Sequence, residues 1–174
     1  DTEYAFSGGQ WMEIDAIIDQ AKSYATPYIC VTGGEPLAQK RCIDLLNKLI
    51  ENGFTVSLET SGAISIANVN DKVITVMDLK APGSNEEQKN IYENISFLDA
   101  KDQIKFVLKD RTDFHWCLEI IKRYNLIDKC EVLLSPVADA LNPTDLAQWI
   151  LDEKLLVRMQ LQLHKILWND AKGK

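Results

Sequence analysis

The sequence predicts one α/β domain built on a parallel sheet, on three observations. Short β-branched or apolar runs alternate with segments of helical spacing along the chain. Glycine and polar residues gather just after each apolar run, and no linker or low-complexity stretch divides residues 1–174. Repeated strand–helix units imply parallel neighbours joined by right-handed crossovers. At 174 residues and 46% hydrophobic, the chain can bury a core of its own.

The first element is a helix, because Ile14, Ile17, Ile18 and Ala21 share one face. A strand is expected over Tyr28 to Thr32. A helix follows with Ile43, Leu46, Leu49 and Ile50 on one face and Gly53 as its C-terminal cap. Strands over Phe54 to Glu59 and Val73 to Leu79 come next, with a shorter connection. Ser84 to Glu87 reads S-x-x-E, a capping box that predicts a helix through about Phe97. Then come a strand over Gln103 to Leu108, a helix marked by Phe114, Leu118, Ile120 and Ile121, and a strand over Cys130 to Leu134. Asn142-Pro143 supplies an N-cap and first-turn proline for a helix through Ile150. The last strand, Leu156 to Leu163, alternates Val157, Met159, Leu161 and Leu163 as a half-covered strand does. Trp11, Trp116 and Trp149 read as core or helix packing, His115 as surface or N-terminal helix structure, and Asp110 to Asp113 as a solvated turn. A parallel array normally opens on a strand, so the opening helix leads to the expectation that something is missing upstream of Asp1.

Composition excludes several classes. A net charge of −7 argues against a phosphate-tracking nucleic-acid surface. No apolar run reaches membrane-spanning length, and the polar start Asp1-Thr2-Glu3-Tyr4 is not a signal peptide. A soluble cytoplasmic protein without nucleic-acid or membrane partners is expected. Cys30, Cys42, Cys117 and Cys130 form no C-x-x-C pair and the chain has two histidines, which argues against zinc. Four reduced thiols, mostly buried, are expected. Asn94-Ile95-Ser96 matches a glycosylation acceptor and is read as accidental.

The polar clusters are Thr32-Gly33-Gly34-Glu35-Pro36, Glu59-Thr60-Ser61-Gly62, Asp78-Leu79-Lys80-Ala81-Pro82, Lys109-Asp110, Ser135-Pro136 and Gln162-Leu163-His164-Lys165. In a parallel α/β protein these strand ends share one rim, where active sites sit. Singly, each has a plainer role. Gly33-Gly34 permits a sharp turn before Pro36, Thr60-Ser61-Gly62 is ordinary turn chemistry, and Asp78 can simply pair with Lys80 on the same side of a strand. Together, at equivalent strand ends, they predict a cofactor-binding mouth.

Thr32-Gly33-Gly34-Glu35-Pro36 resembles the GGEP motif of radical S-adenosylmethionine (SAM) enzymes. With the other rim segments and the Asp1-Thr2-Glu3-Tyr4 opening, the ordered set is similar to the 7-carboxy-7-deazaguanine synthase family, radical SAM lyases of queuosine biosynthesis, from Asp1 to about Asn169. The resemblance implies a partial parallel βα barrel of the six-stranded radical SAM kind, with the first strand and cluster loop missing. It implies SAM at Gly34, Glu35, Ser61, Asp78, Leu79, Lys80, Ser135, Pro136, Val137 and Ala138. Gly34 lets the backbone approach the methionyl amine, Glu35 adds an acceptor beside it, and Ser61 lines the methionyl carboxylate. It implies a pterin substrate at Thr32, Glu59 and His164, with Gln162 and Lys165 as neighbours, and Mg²⁺ on the Thr2 hydroxyl.

The implied reaction is the ring contraction of 6-carboxy-5,6,7,8-tetrahydropterin to 7-carboxy-7-deazaguanine with loss of ammonia, begun by a 5′-deoxyadenosyl radical from SAM. A homodimer and a reductase or flavodoxin-type electron donor are implied partners. In the family a C-x-x-x-C-x-x-C loop holds a [4Fe–4S] cluster and immediately precedes an Asp-Thr pair, where this sequence begins. The cluster ligands are therefore expected upstream of residue 1, no catalytic residue is identified within the chain, and the chain alone is expected to be inactive. Ile166 to Lys174 runs past the family's usual end. Two other expectations compete: another small radical SAM enzyme, such as a glycyl-radical-enzyme activase, and a non-catalytic SAM- or nucleotide-binding module. A phosphate-binding βα barrel lacks a glycine-rich phosphate loop.

Overall fold

The computed structural model describes residues 9–168. Six parallel strands lie side by side in chain order: β1 Tyr28–Val31, β2 Thr55–Thr60, β3 Ile74–Leu79, β4 Gln103–Leu108, β5 Glu131–Pro136 and β6 Arg158–Met159. Consecutive order with no reversal is the βα-barrel arrangement rather than the doubly wound one. Five helices accompany them: α1 Ile14–Ser23, α2 Cys42–Glu51, α3 Arg111–Arg123, α4 Pro143–Asp152 and α5 Leu163–Trp168.

The pleat divides the sheet into two unlike faces. The outer, helix-covered face carries Ile29 and Val31, Val56 and Leu58, Met77 and Leu79, Ile104, Phe106 and Leu108, and Val132 and Leu134. Register places them in continuous rows, with Met77 opposite Ile104 and Phe106 opposite Leu134. Ile18, Leu46 and Leu49 of α1 and α2 pack on β1 and β2, while Phe114, Cys117, Ile120 and Leu146 of α3 and α4 pack on β3 to β5. Each fully buried Leu, Ile or Phe contributes about 1.5–3 kcal/mol by leaving water. The inner face is different: Ser57, Glu59, Asp78, Gln103, Lys105, Glu131, Ser135 and Arg158 alternate with the outer set. Ile74, Val76, Val107 and Leu133 share that face, so it is mixed, with charged and polar side chains set among apolar ones, while the outer face is the core.

Four expectations are corrected. Residues 84–97 do not form an α-helix; three 3₁₀ turns, Pro82–Ser84, Glu87–Lys89 and Tyr92–Phe97, take its place. The Ser84 hydroxyl does accept a backbone bond, from the Glu86 N–H, but in a local turn. The last strand shrinks to Arg158–Met159, because β5 is its one partner, and Leu163 to Lys165 turn into α5. Trp11 precedes α1 and is 96% exposed. Asp110 to Asp113 is a helix start: Asp110 caps α3 through the N–H groups of Thr112 and Asp113, and Asp113 is buried.

Candidate active site

The rim is assembled by polar side chains that reach from one strand end to the next. The Glu35 carboxylate, just past the glycine pair after β1, accepts from the Leu37 N–H at 3.1 Å, the Thr60 hydroxyl at 2.9 and 3.0 Å, the Ser61 N–H at 2.9 Å and the Ser61 hydroxyl at 2.6 Å. One side chain thereby ties the turn after β1 to the end of β2. Gly62 then turns with φ +72°, a conformation that favours glycine, and a Cβ there would sit 3.0 Å from Met77 Cγ and press on that side chain.

Three further clamps fix the other rim loops. Asn94, fully buried, donates to the carbonyls of Gly62 and Ile64 and accepts from the Ile66 N–H. Asn90 pairs with both backbone groups of Lys80, accepting at 3.0 Å and donating at 2.9 Å. Asp113 accepts from the Gly83 N–H at 2.8 Å and the Lys109 N–H at 3.0 Å, joining the segments after β3 and β4. Sequence reasoning missed all three as rim builders, because their partners are backbone groups, which carry no residue-type signal. The buried Asn94 also closes the glycosylation question for the folded protein.

Charge organises the inner face. Asp78 and Lys105 are direct cross-strand neighbours, and Lys80 donates to Asp78 Oδ2 at 3.0 Å. Lower on the same face, Glu131 accepts from Gln103 at 3.1 Å and from Arg158 at 2.7 Å. Burial pushes the Glu59 carboxyl above the ordinary glutamate range; the Lys105 ammonium opposes that rise and the Asp78 carboxylate adds to it. Among the described residues, two buried side-chain oxygens have no hydrogen-bond partner: Asp78 Oδ1 and Ser135 Oγ. Both belong to inner-face positions at the ends of their strands. A buried polar atom left unpaired is costly, and a bound ligand is one way to satisfy it.

The expected site residues distribute as follows. Thr32, Gly34, Glu35, Glu59, Ser61, Asp78, Lys80, Ser135, Val137 and Ala138 lie at the same ends of neighbouring strands or in the turns that follow. Leu79 and Pro136 are buried on the outer side of the pleat. Their segments can meet a ligand through backbone, not through these side chains. Gln162 precedes α5, and His164 and Lys165 lie within it rather than at a strand end. The His164 side chain and Thr2 lie outside the described residues.

The donor set fits SAM: orphaned carboxylate and hydroxyl oxygens lie near the ends of β3 and β5, on the rim that also carries the Gly33-Gly34 turn after β1. It does not fit an iron–sulfur cluster. The four cysteines are dispersed over β1, α2, α3 and the approach to β5, and no group of three or more His, Cys, Asp or Glu is placed to hold a metal among the described residues.

No family model matches the chain. The crystal structure of QueE from Escherichia coli is similar with a TM-score of 0.66 at 19% identity, covering 84% of this chain and 61% of that one. Streptococcus suis SuiB bound to S-adenosylmethionine is similar with a TM-score of 0.59 at 12% identity, covering 93% and 45%. These likenesses concern the fold alone, parallel strands in consecutive order with helices on one face. In sequence, the 7-carboxy-7-deazaguanine synthase of Chlorobaculum tepidum is 37% identical over 99% of this chain and 80% of its own length. That of Koribacter versatilis is 36% identical over 99% and 84%. The chain belongs to the 7-carboxy-7-deazaguanine synthase family.

Proposed function

We propose that this chain binds SAM and a pterin on the inner face of its sheet, and serves the conversion of 6-carboxy-5,6,7,8-tetrahydropterin to 7-carboxy-7-deazaguanine and ammonia. Family membership supports the reaction. The observation that supports the place is the pair of unpartnered buried oxygens, Asp78 Oδ1 and Ser135 Oγ, on two inner-face strand ends. SAM, when bound, supplies the hydrogen-abstracting chemistry; the chain's own residues supply geometry.

In this reading the turn at Gly34 takes the methionyl amine, Asp78 and Lys80 the ribose, and Ser135 with the backbone of Val137 and Ala138 the adenine. Glu59 faces the substrate, and a carboxylate there suits the N–H edge of a pterin ring. Lys105 keeps that carboxylate from rising further in pKa. Thr32, His164, Gln162 and Lys165 complete the substrate side, and Thr2 takes Mg²⁺. A homodimer, a flavodoxin-type electron donor, a cytoplasmic setting and a [4Fe–4S] cluster whose ligands are not among these 174 residues belong to the same proposal. Among the described residues no helix is long and apolar enough to cross a membrane.

The test is direct. Anaerobically reconstituted full-length protein, carrying the cluster-binding segment, is expected to convert the tetrahydropterin to 7-carboxy-7-deazaguanine when given SAM and reductant, read by mass spectrometry. Protein that binds SAM and leaves the tetrahydropterin unchanged overturns the reading.

A further inference from the structure

The proposed conversion removes ammonia from its substrate and nothing else, so substrate and product stand at the same oxidation level. The nitrogen that leaves must gain a proton, because an amine departs slowly until it is protonated. The proton donor has to stand inside the sheet, beside the ring.

The cations on that side of the sheet differ in what holds them. Lys80 donates to Asp78 Oδ2 at 3.0 Å, and Arg158 donates to Glu131 Oε1 at 2.7 Å. Lys109 lies past the end of β4 and is exposed. Lys105 is half-buried and makes no hydrogen bond or ion pair among the described residues.

Its place follows from the pleat. Ile104 and Phe106 on either side are wholly buried in the outer core, which turns Lys105 inward from the middle of β4. Asp78 is its direct neighbour on β3 and Leu133 on β5, and Glu59 on β2 is near enough to feel its charge. Val76 and Leu133, both buried, give that part of the face an apolar floor suited to a flat ring. Asp78 is already engaged by Lys80, so the Lys105 ammonium stands over this floor with its protons unspent.

We propose that Lys105 is a catalytic residue, the acid that protonates the departing nitrogen so that it leaves as ammonia. The assignment rests on the reaction proposed above. Lys105 Nζ gives a proton to the amine expelled from the six-membered ring, and the C–N bond breaks with its electron pair on nitrogen. The neighbouring C–H bond then gives its pair to the new ring double bond and its proton back to Nζ. Ammonia is the net loss, and this stage consumes no oxidant or reductant. Glu59, accepting from the ring's N–H edge, sets the ring against the ammonium.

The test separates hydrogen abstraction from elimination. Anaerobically reconstituted full-length protein, carrying the cluster-binding segment, is given SAM, reductant and tetrahydropterin deuterated at the carbon that bears its carboxylate. Deuterium in SAM or 5′-deoxyadenosine reports abstraction; ammonia and 7-carboxy-7-deazaguanine report elimination. Lys105→Met and Lys105→Arg are each expected to keep deuterium transfer within about twofold and to slow ammonia release about 100-fold at saturating tetrahydropterin, since arginine keeps the charge and does not give up its proton. Added methylamine is expected to restore ammonia release by Lys105→Met about tenfold and to leave wild type unchanged. Lys105→Arg decides the matter if Lys105→Met does not fold.

An arginine variant that releases ammonia at the wild-type rate shows that charge suffices, and overturns proton donation. A loss that disappears at saturating tetrahydropterin, or a deuterium transfer that falls as far as ammonia release, makes Lys105 a binding residue and overturns it equally. Wild-type protein that transfers no deuterium and releases no ammonia overturns the reaction reading itself, and this assignment with it.

Discussion

Asn94 spends its entire amide on loop backbone, with both ends satisfied inside the protein. Asn94→Ala strands two carbonyls and one N–H, and is expected to cost about 3 kcal/mol, read as a lower urea midpoint. Nothing near it in the sequence announces that role, since Gly62, Ile64 and Ile66 stand about thirty positions away by order of magnitude and contribute only backbone. The GGEP turn and Asp78-Leu79-Lys80, by contrast, were legible, because their residue types themselves are the signal. Glu59 gives a pH-dependent prediction. Its folded pKa lies above the ordinary value, so the native state holds this proton more tightly than the unfolded chain does. That stability is present below the ordinary glutamate range and is lost as pH rises through the raised native value. Relative to wild type, Glu59→Gln is therefore expected to gain stability between about pH 4 and about pH 7, measured by urea denaturation at both. Lys105→Met removes the opposing charge and is expected to move the Glu59 titration further up, read by carboxyl NMR.

At the start of α3, two aspartates three residues apart do different jobs. Asp110 is exposed and caps the helix; Asp113 is buried and holds the loops after β3 and β4. Asp110→Ala is expected to cost about 1 kcal/mol, an ordinary cap loss. Asp113→Ala leaves two N–H groups without their acceptor and is expected to cost about 3 kcal/mol, both by denaturant titration. Strand positions were legible because buried β-branched runs permit few alternatives: β4 falls where its sequence placed it. Residues 84–97 were not, since Asn90 and Asn94 draw backbone groups of other segments and Ile95 and Leu98 sit three apart, a spacing that a 3₁₀ turn buries equally well. The alternation after Leu155 was real, and Val157 and Met159 do pack on the core. A strand still needs a partner, and β5 offers one for two residues only.

The thiols report on the whole molecule. Burial raises the pKa of Cys42, Cys117 and Cys130, the last to about 11, while Cys30 is exposed. Alkylation of the native protein at neutral pH is expected to modify Cys30 well before the other three, read by peptide mass spectrometry; denaturation should equalise them. That most cysteines are buried was legible from composition. Which one escapes depends on the pleat, which turns Cys30 away from the helices. The consecutive strand order carries a consequence for synthesis. Every strand from β2 onward hydrogen-bonds the one made just before it, so no early strand waits for a late one to fill a gap beside it. A ribosome-bound chain can extend the sheet one strand at a time, and the growing edge is always the newest. Parallel sheets are slow to form when their neighbours lie far apart along the chain; here each partner is the nearest one the connectivity allows.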